Sequence, residues 1–220
     1  MTIRSGPLAG KKWIATTGYS FITANFETYK INAFVDNFSA ASVFYDIGAH
    51  VGYFTAIACD VNSGRGWVYA FEPRPMNAKF FRRHVAMNGF TNVTLFQAAV
   101  AVEAGEARFN SNTGSATGHL SSAGDLVVKV MNIDKEFEEG RMQPPDFIKV
   151  DVEGGEIEVL KSCRKVIGKC RPKLMIATHS RETHDFVMKY LEENQYRYEI
   201  LNPDRIKGDE EIMAWPLPIH

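Results

Sequence analysis

One stretch decides the fold of this chain: Val43-Phe-Tyr-Asp-Ile-Gly-Ala-His-Val-Gly-Tyr-Phe-Thr55. It begins with an apolar run, passes through two glycines and continues into residues with apolar positions at helical spacing. We interpret it as a buried strand, a tight glycine turn and the start of a helix. This arrangement is typical of open α/β sheets, which bind ligands at the carboxyl ends of their strands.

A second stretch, Ala70-Phe-Glu-Pro73, places an acid at the end of the next predicted strand. In open α/β sheets that bind nucleoside cofactors, a helix N-terminus holds the polar tail and such an acid binds the ribose. The turn is Asp46-x-Gly48-x-x-x-Gly52, which does not fit the G-x-G-x-x-G spacing of dinucleotide sites. It favours S-adenosylmethionine, because a methionine tail needs less backbone room than a pyrophosphate and its ammonium suits an acid such as Asp46.

Composition sets the class of protein. A chain of 220 residues with ordinary apolar content is long enough for one large core. Its net charge of −1 gives no overall attraction to nucleic acid or anionic lipid. No apolar run is long enough to span a membrane. We therefore expect a cytoplasmic protein whose three cysteines are reduced thiols.

From residue 43 onward, predicted strands alternate with predicted helices. The strands are Val43–Ile47, Trp67–Phe71, Val93–Val100, Phe147–Val150 and Leu174–Ala177. Near the end, Tyr196–Leu201 and Glu211–Trp215 are predicted to form a closing antiparallel pair. The alternation predicts a doubly wound α/β sheet that is mostly parallel.

We expect residues 1–220 to form a single domain. Residues 1–41 are an aromatic-rich lead-in, and residues 42–201 are the core. A polar, glycine- and serine-rich segment at about 103–131 interrupts the core, and we predict a small β insertion there, where substrate loops commonly lie. Residues 202–220 are the closing strand and tail.

Three motifs together resemble the FkbM family of S-adenosylmethionine-dependent methyltransferases. They are residues 46–55, Phe71-Glu-Pro-Arg-Pro-Met-Asn77 and Phe147-Ile-Lys-Val-Asp-Val-Glu-Gly-Gly-Glu156. The similarity runs in order from about Phe26-Glu27 to Leu201. The resemblance implies the class I methyltransferase fold, a Rossmann-like sheet with an antiparallel last strand, and methyl transfer to oxygen, often a hydroxyl of a sugar or secondary metabolite.

We expect the cofactor to contact the glycine turn and the next strand. Gly48 permits close backbone approach, the helix after Gly52 directs N–H groups at the methionine carboxylate, and Glu72 accepts both ribose hydroxyls. The full predicted set is Asp46, Gly48, Ala49, Gly52, Tyr53, Phe54, Glu72 and Ala98, with adenine near Ala98. The alternative is that the glycines only shape a turn and Glu72 only caps the next helix.

We predict Asp151, Glu153 and His179 as catalytic residues. Strand alternation sends Asp151 and Glu153 to the same side of the fourth core strand. His179 ends the adjacent strand, so we expect it to face them across the crevice and to act as a general base. The alternative is that the acids offset a helix dipole and that His179 only bonds at a strand end.

We predict no metal site, although these three residues have the ligand types for a divalent ion such as Mg²⁺. Members of the family often carry a carboxylate two residues before this histidine, and here Ala177 takes its place.

We interpret His50 as a polar surface residue without a catalytic role. Phe26 and Glu27 match a family position, and we expect them to cover the cofactor.

The sequence favours an O-methyltransferase that acts on a small molecule, a sugar or a glycan. Three alternatives remain: an RNA or protein acceptor, a nicotinamide-dependent oxidoreductase, and a non-catalytic binding module. Balanced charge disfavours RNA, and the missing third glycine disfavours a nicotinamide cofactor. The oligomeric state does not follow from the sequence.

Overall fold

The computed structural model describes residues 1–23, 27–111, 118–202 and 209–218. The strands in these residues are β1 (Phe44–Ile47), β2 (Val68–Phe71), β3 (Val93–Phe96), β4 (Ala98–Val100), β5 (Gly105–Asn110), β6 (His119–Leu120), β7 (Leu126–Met131), β8 (Phe147–Val150), β9 (Lys173–Ala177), β10 (Tyr196–Ile200) and β11 (Glu211–Pro216). The helices are α1 (Tyr19–Thr23), α2 (Thr28–Asn37), α3 (Tyr53–Asn62), α4 (Pro75–Asn88), α5 (Ile133–Glu138), α6 (Glu156–Ser162), α7 (Arg164–Cys170) and α8 (Arg181–Glu193). None of the helices in this part of the chain has both the length and the apolar character needed to cross a membrane.

The main sheet has seven strands in the order β10-β11-β9-β8-β1-β2-β3. Neighbouring strands from β9 to β3 are parallel, whereas β11 is antiparallel to both β9 and β10. The predicted α/β sheet with an antiparallel last strand is therefore confirmed. After β1 the chain builds β2 and β3 on one side and later β8 and β9 on the other. A crevice opens between β1 and β8 at such a switch in strand order.

The third predicted strand, Val93–Val100, is wrong as a single element. The chain leaves the main sheet at the exposed Gln97, and β4 pairs with β7 in a second sheet of order β4-β7-β5-β6. Both halves carry apolar side chains, half-buried in β3 and buried in β4, so the sequence pattern runs through the break. The predicted strands of the insertion do form, as β5 and β7.

The single helix predicted after β8 is also two helices, α6 and α7. The break lies at Cys163, and Asp134 of α5 accepts hydrogen bonds from the backbone N–H groups of Lys165 and Val166, each at 2.9 Å. A carboxylate that binds exposed N–H groups at a helix start stabilises a new helix there. The sequence analysis did not predict α5, so the carboxylate that begins α7 was not foreseen.

Aromatic packing holds the lead-in against the sheet. Phe34 of α2 is fully buried, and its ring centroid lies 5.0 Å from that of Phe44, 5.4 Å from Phe54 and 5.1 Å from Phe147. These rings come from β1, α3 and β8, so α2 packs where the two central strands meet. The same helix carries Lys30 one turn earlier, at the carboxyl edge of the sheet.

Candidate active site

Two cavities adjoin at the carboxyl edge of the main sheet. The first, of about 430 Å³, is lined among others by Gly48, Glu72, Asn77, Ala98, Phe109 and Val152. The second, of about 360 Å³, is lined among others by Phe21, Lys30, Tyr53, Phe54, His179 and Glu211. Gly48, His50, Asp151 and Glu153 line both. A group bound in one cavity therefore meets a group bound in the other at these four residues.

The glycine turn presses directly on the end of β8. Gly48 has a φ of 81°, and a Cβ atom there would lie 1.8 Å from the carbonyl oxygen of Asp151. Gly52 has a φ of 90° and precedes α3. A Cβ atom at this position would lie 2.7 Å from the Phe81 ring. Side chains do not fit at either position, and Gly48 brings bare backbone to both cavities, whereas Gly52, also predicted to bind the cofactor, is absent from the walls of both.

Glu72 lies at the end of β2 and lines the first cavity. Its carboxylate accepts hydrogen bonds from the backbone N–H groups of His50 and Arg74, each at 2.9 Å, and from Asn77 Nδ2 at 3.2 Å. Burial raises the pKa of Glu72 to about 7, although these hydrogen bonds favour the ionised form. The carboxylate is therefore oriented, and it titrates near neutral pH.

Asp46 was predicted to bind the cofactor, but the structure places its carboxylate beneath the turn. It is fully buried, and it is absent from the walls of both cavities. Its Oδ2 accepts a hydrogen bond from Thr55 Oγ1 at 2.6 Å, and its Oδ1 lies 3.5 Å from Lys149 Nζ. Asp46 thus joins β1, α3 and β8 below the site.

We expect Thr55→Val to lower the free energy of unfolding by about 1–3 kcal/mol, because the buried Asp46 carboxylate loses a donor. Chemical denaturation measures the effect. Thr55→Ser is the matched control, because it keeps the hydroxyl, and it should lose clearly less stability. Equal losses in the two variants would mean that the hydrogen bond contributes no more to stability than the methyl group that Thr55→Ser removes.

The other predicted cofactor residues separate onto two sides of the turn. Gly48, Glu72 and Ala98 line the first cavity, whereas Ala49, Tyr53 and Phe54 line only the second. The reason is geometric: α3 starts after the turn and directs its first side chains away from β2. The ring of Tyr53 stacks on Phe21 of the lead-in, with centroids 5.0 Å apart. The sequence could not show this division.

The described residues of the insertion line the first cavity and not the second. Phe109, Gly118, His119 and Leu120 face Glu72 and Ala98 across this space. The second sheet begins with β4, directly after β3, so it lies beside the end of β2. The sequence analysis missed these wall residues because nothing in the local pattern relates β5 and β6 to Glu72.

The three predicted catalytic residues lie together. His179 Nε2 is 3.7 Å from Asp151 Oδ1 and 3.6 Å from Glu153 Oε1, and its Nδ1 is 2.7 Å from Glu156 Oε1. Glu153 has a φ of 56°, a strained value for a residue other than glycine. Such backbone strain is common at functional sites, and Glu153 lies in the turn that follows β8.

Charges around the cluster determine its protonation. Burial opposes ionisation of Asp151, but Lys30 and Lys149 hold its pKa well below the usual range. Burial also lowers the pKa of His179, yet the hydrogen bond to Glu156 and the surrounding carboxylates outweigh burial and raise that pKa to about 9. A protonated imidazole cannot accept a proton, so the geometry does not favour His179 as the predicted general base.

Two buried lysines complete the site, and sequence analysis missed both. Lys30 Nζ donates to Asp151 Oδ2 at 2.8 Å and to Glu211 Oε1 at 2.7 Å. Lys149 Nζ donates to the Gly48 carbonyl at 3.2 Å and lies 3.4 Å from Asp151 Oδ2. A signal existed for Lys149, which interrupts a buried apolar strand. Lys30 is 121 residues from Asp151, and no local pattern links them.

Two further predictions concern the edge of the site. His50 was expected at the surface, but it is half-buried, has a φ of 51° and lines both cavities. Phe26 lies outside the described residues. Glu27 lines the second cavity, where its Oε2 is 3.4 Å from Lys30 Nζ, rather than the first.

Comparisons with known proteins identify related sequences and folds. The family model for the methyltransferase FkbM domain matches residues 46–198. Hexuronic acid methyltransferase AglP from Haloferax volcanii is 27% identical over 165 residues, which are 74% of this chain and 66% of that protein. The matched region is thus just under two thirds of this curated relative.

Solved structures show the same fold. Methyltransferase FkbM from Methylobacillus flagellatus aligns with a TM-score of 0.60 and 22% identity, over 81% of this chain and 44% of that chain. Fibrillarin from Aeropyrum pernix, with natively bound S-adenosyl-L-methionine, aligns with a TM-score of 0.56 and 12% identity, over 84% of this chain and 74% of that chain. At these identities the comparisons establish the class I methyltransferase fold.

Proposed function

The chain belongs to the FkbM methyltransferase family, and from this premise we propose that it transfers the methyl group of S-adenosylmethionine to a hydroxyl oxygen of a sugar or another small hydroxylated molecule. One observation carries the proposal: two cavities of suitable size meet at Asp151 and Glu153. The first would hold the cofactor and the second the acceptor. The named hexuronic acid methyltransferase among the relatives supports a sugar acceptor.

The residues of the first cavity fit this cofactor. Gly48 presents bare backbone to this cavity, and Glu72 offers a carboxylate for the two ribose hydroxyls. Ala98, Val152 and Phe109 provide apolar surface for a flat base. When bound, S-adenosylmethionine supplies an electrophilic methyl group on a positively charged sulfur.

The residues of the second cavity suit an acceptor hydroxyl. An alcohol loses its proton as its oxygen gains a methyl group, so a proton acceptor is needed where the cavities meet. We assign this role to Glu153, whose carboxylate lines both cavities. Asp151, held by Lys30 and Lys149, orients the acceptor beside it. Positioning and proton acceptance together account for large rate enhancements, of which the base contributes about 10²–10⁴-fold.

We also propose that residues 1–220 act as one methyltransferase domain. The lead-in packs Trp13 against Tyr53 of α3, with ring centroids 5.5 Å apart, and α2 supplies Lys30 to the second cavity. The acceptor side of the site is therefore incomplete without the lead-in.

A direct test titrates S-adenosylmethionine, its demethylated product and NADH into the protein by calorimetry, and then screens labelled methyl transfer to neutral and acidic sugars. We expect the first two ligands to bind and NADH not to bind. A labelled sugar with an alkali-stable methyl ether supports the proposal. Label transferred only to RNA or to protein would contradict it, as would binding of NADH in place of S-adenosylmethionine.

Glu72→Gln should weaken binding of S-adenosylmethionine by about 10-fold or more, because a neutral amide replaces a charged acceptor of hydrogen bonds. The pKa of Glu72 is raised to about 7, so the wild type should bind more tightly at pH 8, where the carboxylate is ionised, than at pH 6. Calorimetry at several pH values measures both effects.

The Glu72→Gln variant also corrects for titration of the ligand itself, since only the difference between the two proteins reports on Glu72. The exposed Glu103→Gln serves as the matched control, and it should bind as the wild type does. A pH dependence that is identical in wild type and Glu72→Gln would remove Glu72 from the ribose site.

A further inference from the structure

We infer that Asp151, Glu153 and His179 form a binding site for one divalent metal ion. Each residue offers one ligand atom, and these atoms all lie within 4.8 Å of one another. The site shares Asp151 and Glu153 with the methyl-transfer site proposed above, so its role in catalysis would deepen that proposal.

The distances within the cluster suit a shared ion better than direct hydrogen bonds. His179 Nε2 lies 3.7 Å from Asp151 Oδ1 and 3.6 Å from Glu153 Oε1, beyond the usual range for a hydrogen bond. Metal–ligand bonds of about 2.1–2.4 Å place neighbouring ligand atoms about 3–4 Å apart. The two distances from His179 Nε2 therefore fall in the range of neighbouring ligands around one cation, and the two carboxylate oxygens lie within 4.8 Å of each other.

A buried carboxylate orients the histidine. Glu156 is fully buried, and its Oε1 accepts hydrogen bonds from His179 Nδ1 at 2.7 Å and from the backbone N–H of Gly154 at 3.0 Å. With Nδ1 held in this way, Nε2 faces Asp151 and Glu153. Metal-binding histidines commonly donate their second ring nitrogen to a carboxylate in this manner. Cation and proton compete for Nε2, so metal binding here would release a proton.

The second cavity has too little positive charge for its acids. Among the described residues, its basic groups are the ammonium groups of Lys30 and Lys149 and the imidazoles of His50 and His179. Five carboxylates line it against them: Glu27, Asp151, Glu153, Asp209 and Glu211. Glu211 is only 9% exposed, and its Oε2 has no hydrogen-bond partner within the described residues. A buried carboxylate oxygen without a partner is costly. It indicates a missing cation or donor in this cavity, independently of the three ligand atoms.

The structure also removes the sequence argument against a metal, which depended on Ala177. In the antiparallel pair of β9 and β11, Glu211 lies directly opposite Ala177. Residues that are directly opposite in such a pair project to the same face. Glu211 thus supplies to this edge of the sheet a carboxylate that Ala177 cannot.

The ligand set of two carboxylates and one imidazole suits Mn²⁺ or Mg²⁺, with open positions for oxygen ligands. Because Asp151 and Glu153 line both cavities, an ion here would polarise an acceptor oxygen beside the methyl donor. This catalytic consequence rests on the proposed function, whereas metal binding itself does not.

The test is titration of the full chain with Mn²⁺ alone, followed by electron paramagnetic resonance of the free ion. We expect one saturable site per chain. Glu153→Gln and His179→Ala should each weaken it at least about 10-fold, and Glu156→Gln, a positioning change, by about 10–100-fold. The matched control is Glu182→Gln at the exposed start of α8, which should leave Mn²⁺ affinity unchanged.

Binding of S-adenosylmethionine is measured on the same proteins, so failure of the metal site is distinguishable from failure of the proposed function. If His179→Ala does not fold, Mn²⁺-induced broadening of the His179 ring resonances in the wild type provides the location. No saturable binding up to about 1 mM Mn²⁺, or equal affinity in Glu153→Gln, would overturn the inference.

Discussion

Gly48→Ala is expected to abolish measurable binding of S-adenosylmethionine and to lower the free energy of unfolding by more than about 4 kcal/mol. The added Cβ would lie 1.8 Å from the Asp151 carbonyl oxygen and 2.7 Å from its carbonyl carbon. Both are backbone atoms at the end of a central strand, so they cannot move without separating β1 from β8. The change therefore disturbs the point where both cavities meet. Chemical denaturation and calorimetry measure the two effects.

Gly89→Ala is the matched control for this experiment. Gly89 has a φ of 68°, similar to that of Gly48, but nothing lies within 4 Å of the position of its Cβ. The control therefore isolates the cost of a left-handed backbone, about 1–2 kcal/mol, from the cost of the collision. If Gly48→Ala were no more destabilising than Gly89→Ala, the close contact between the turn and Asp151 would be wrong.

Lys30→Met is expected to lower the free energy of unfolding by about 3–5 kcal/mol, because it leaves the buried Glu211 and the half-buried Asp151 carboxylates without their shared ammonium. Lys30 is 1% exposed and binds both Asp151 and Glu211. Lys149 remains 3.4 Å from Asp151 Oδ2 and continues to offset that carboxylate. Methyl transfer should fall strongly as well, since Asp151 loses the group that orients it. Denaturation and turnover are measured on the same protein.

Two further variants make this prediction specific. Lys165→Met removes an exposed ammonium 2.8 Å from Glu138 and should change stability little, because exposed ion pairs contribute little. The double variant Lys30→Met with Glu211→Gln should recover part of the lost stability, because it removes one of the unpaired charges. Equal effects of Lys30→Met and Lys165→Met would show that the buried network is not needed.

Much of the main sheet followed from local sequence. Strands β1, β2, β8 and β9 are buried on both faces and are bounded by turns, so their apolar runs were visible without tertiary information. The break at Gln97 was not visible, because β3 and β4 both carry apolar side chains although they belong to different sheets. The break at Cys163 depends on Asp134, a residue distant in sequence from α7.

The site divides in the same way. Asp151, Glu153 and His179 could be brought together from sequence, because the ends of adjacent parallel strands meet at one edge of a sheet. The roles of these three residues could not be predicted from sequence, because each role depends on the charged groups that surround the residue in the folded chain. Lys30 reaches Asp151 from the lead-in, and Glu156 holds His179. The raised pKa of His179 results from that environment and changes the role assigned to it.

The sequence by itself determined the fold class, the glycine turn, the acid at the end of β2 and the family. Each of these depends on residues close together in the chain, whose spacing sets the local geometry. Only the tertiary structure decided that Tyr53 and Phe54 face the second cavity, that Asp46 lies beneath the turn, and that Glu211 stands opposite Ala177. These facts depend on which strands pair and in which register. Burial then strengthens the electrostatic interactions between the charged groups that the pairing brings together, because the effective dielectric constant is lower there than in water.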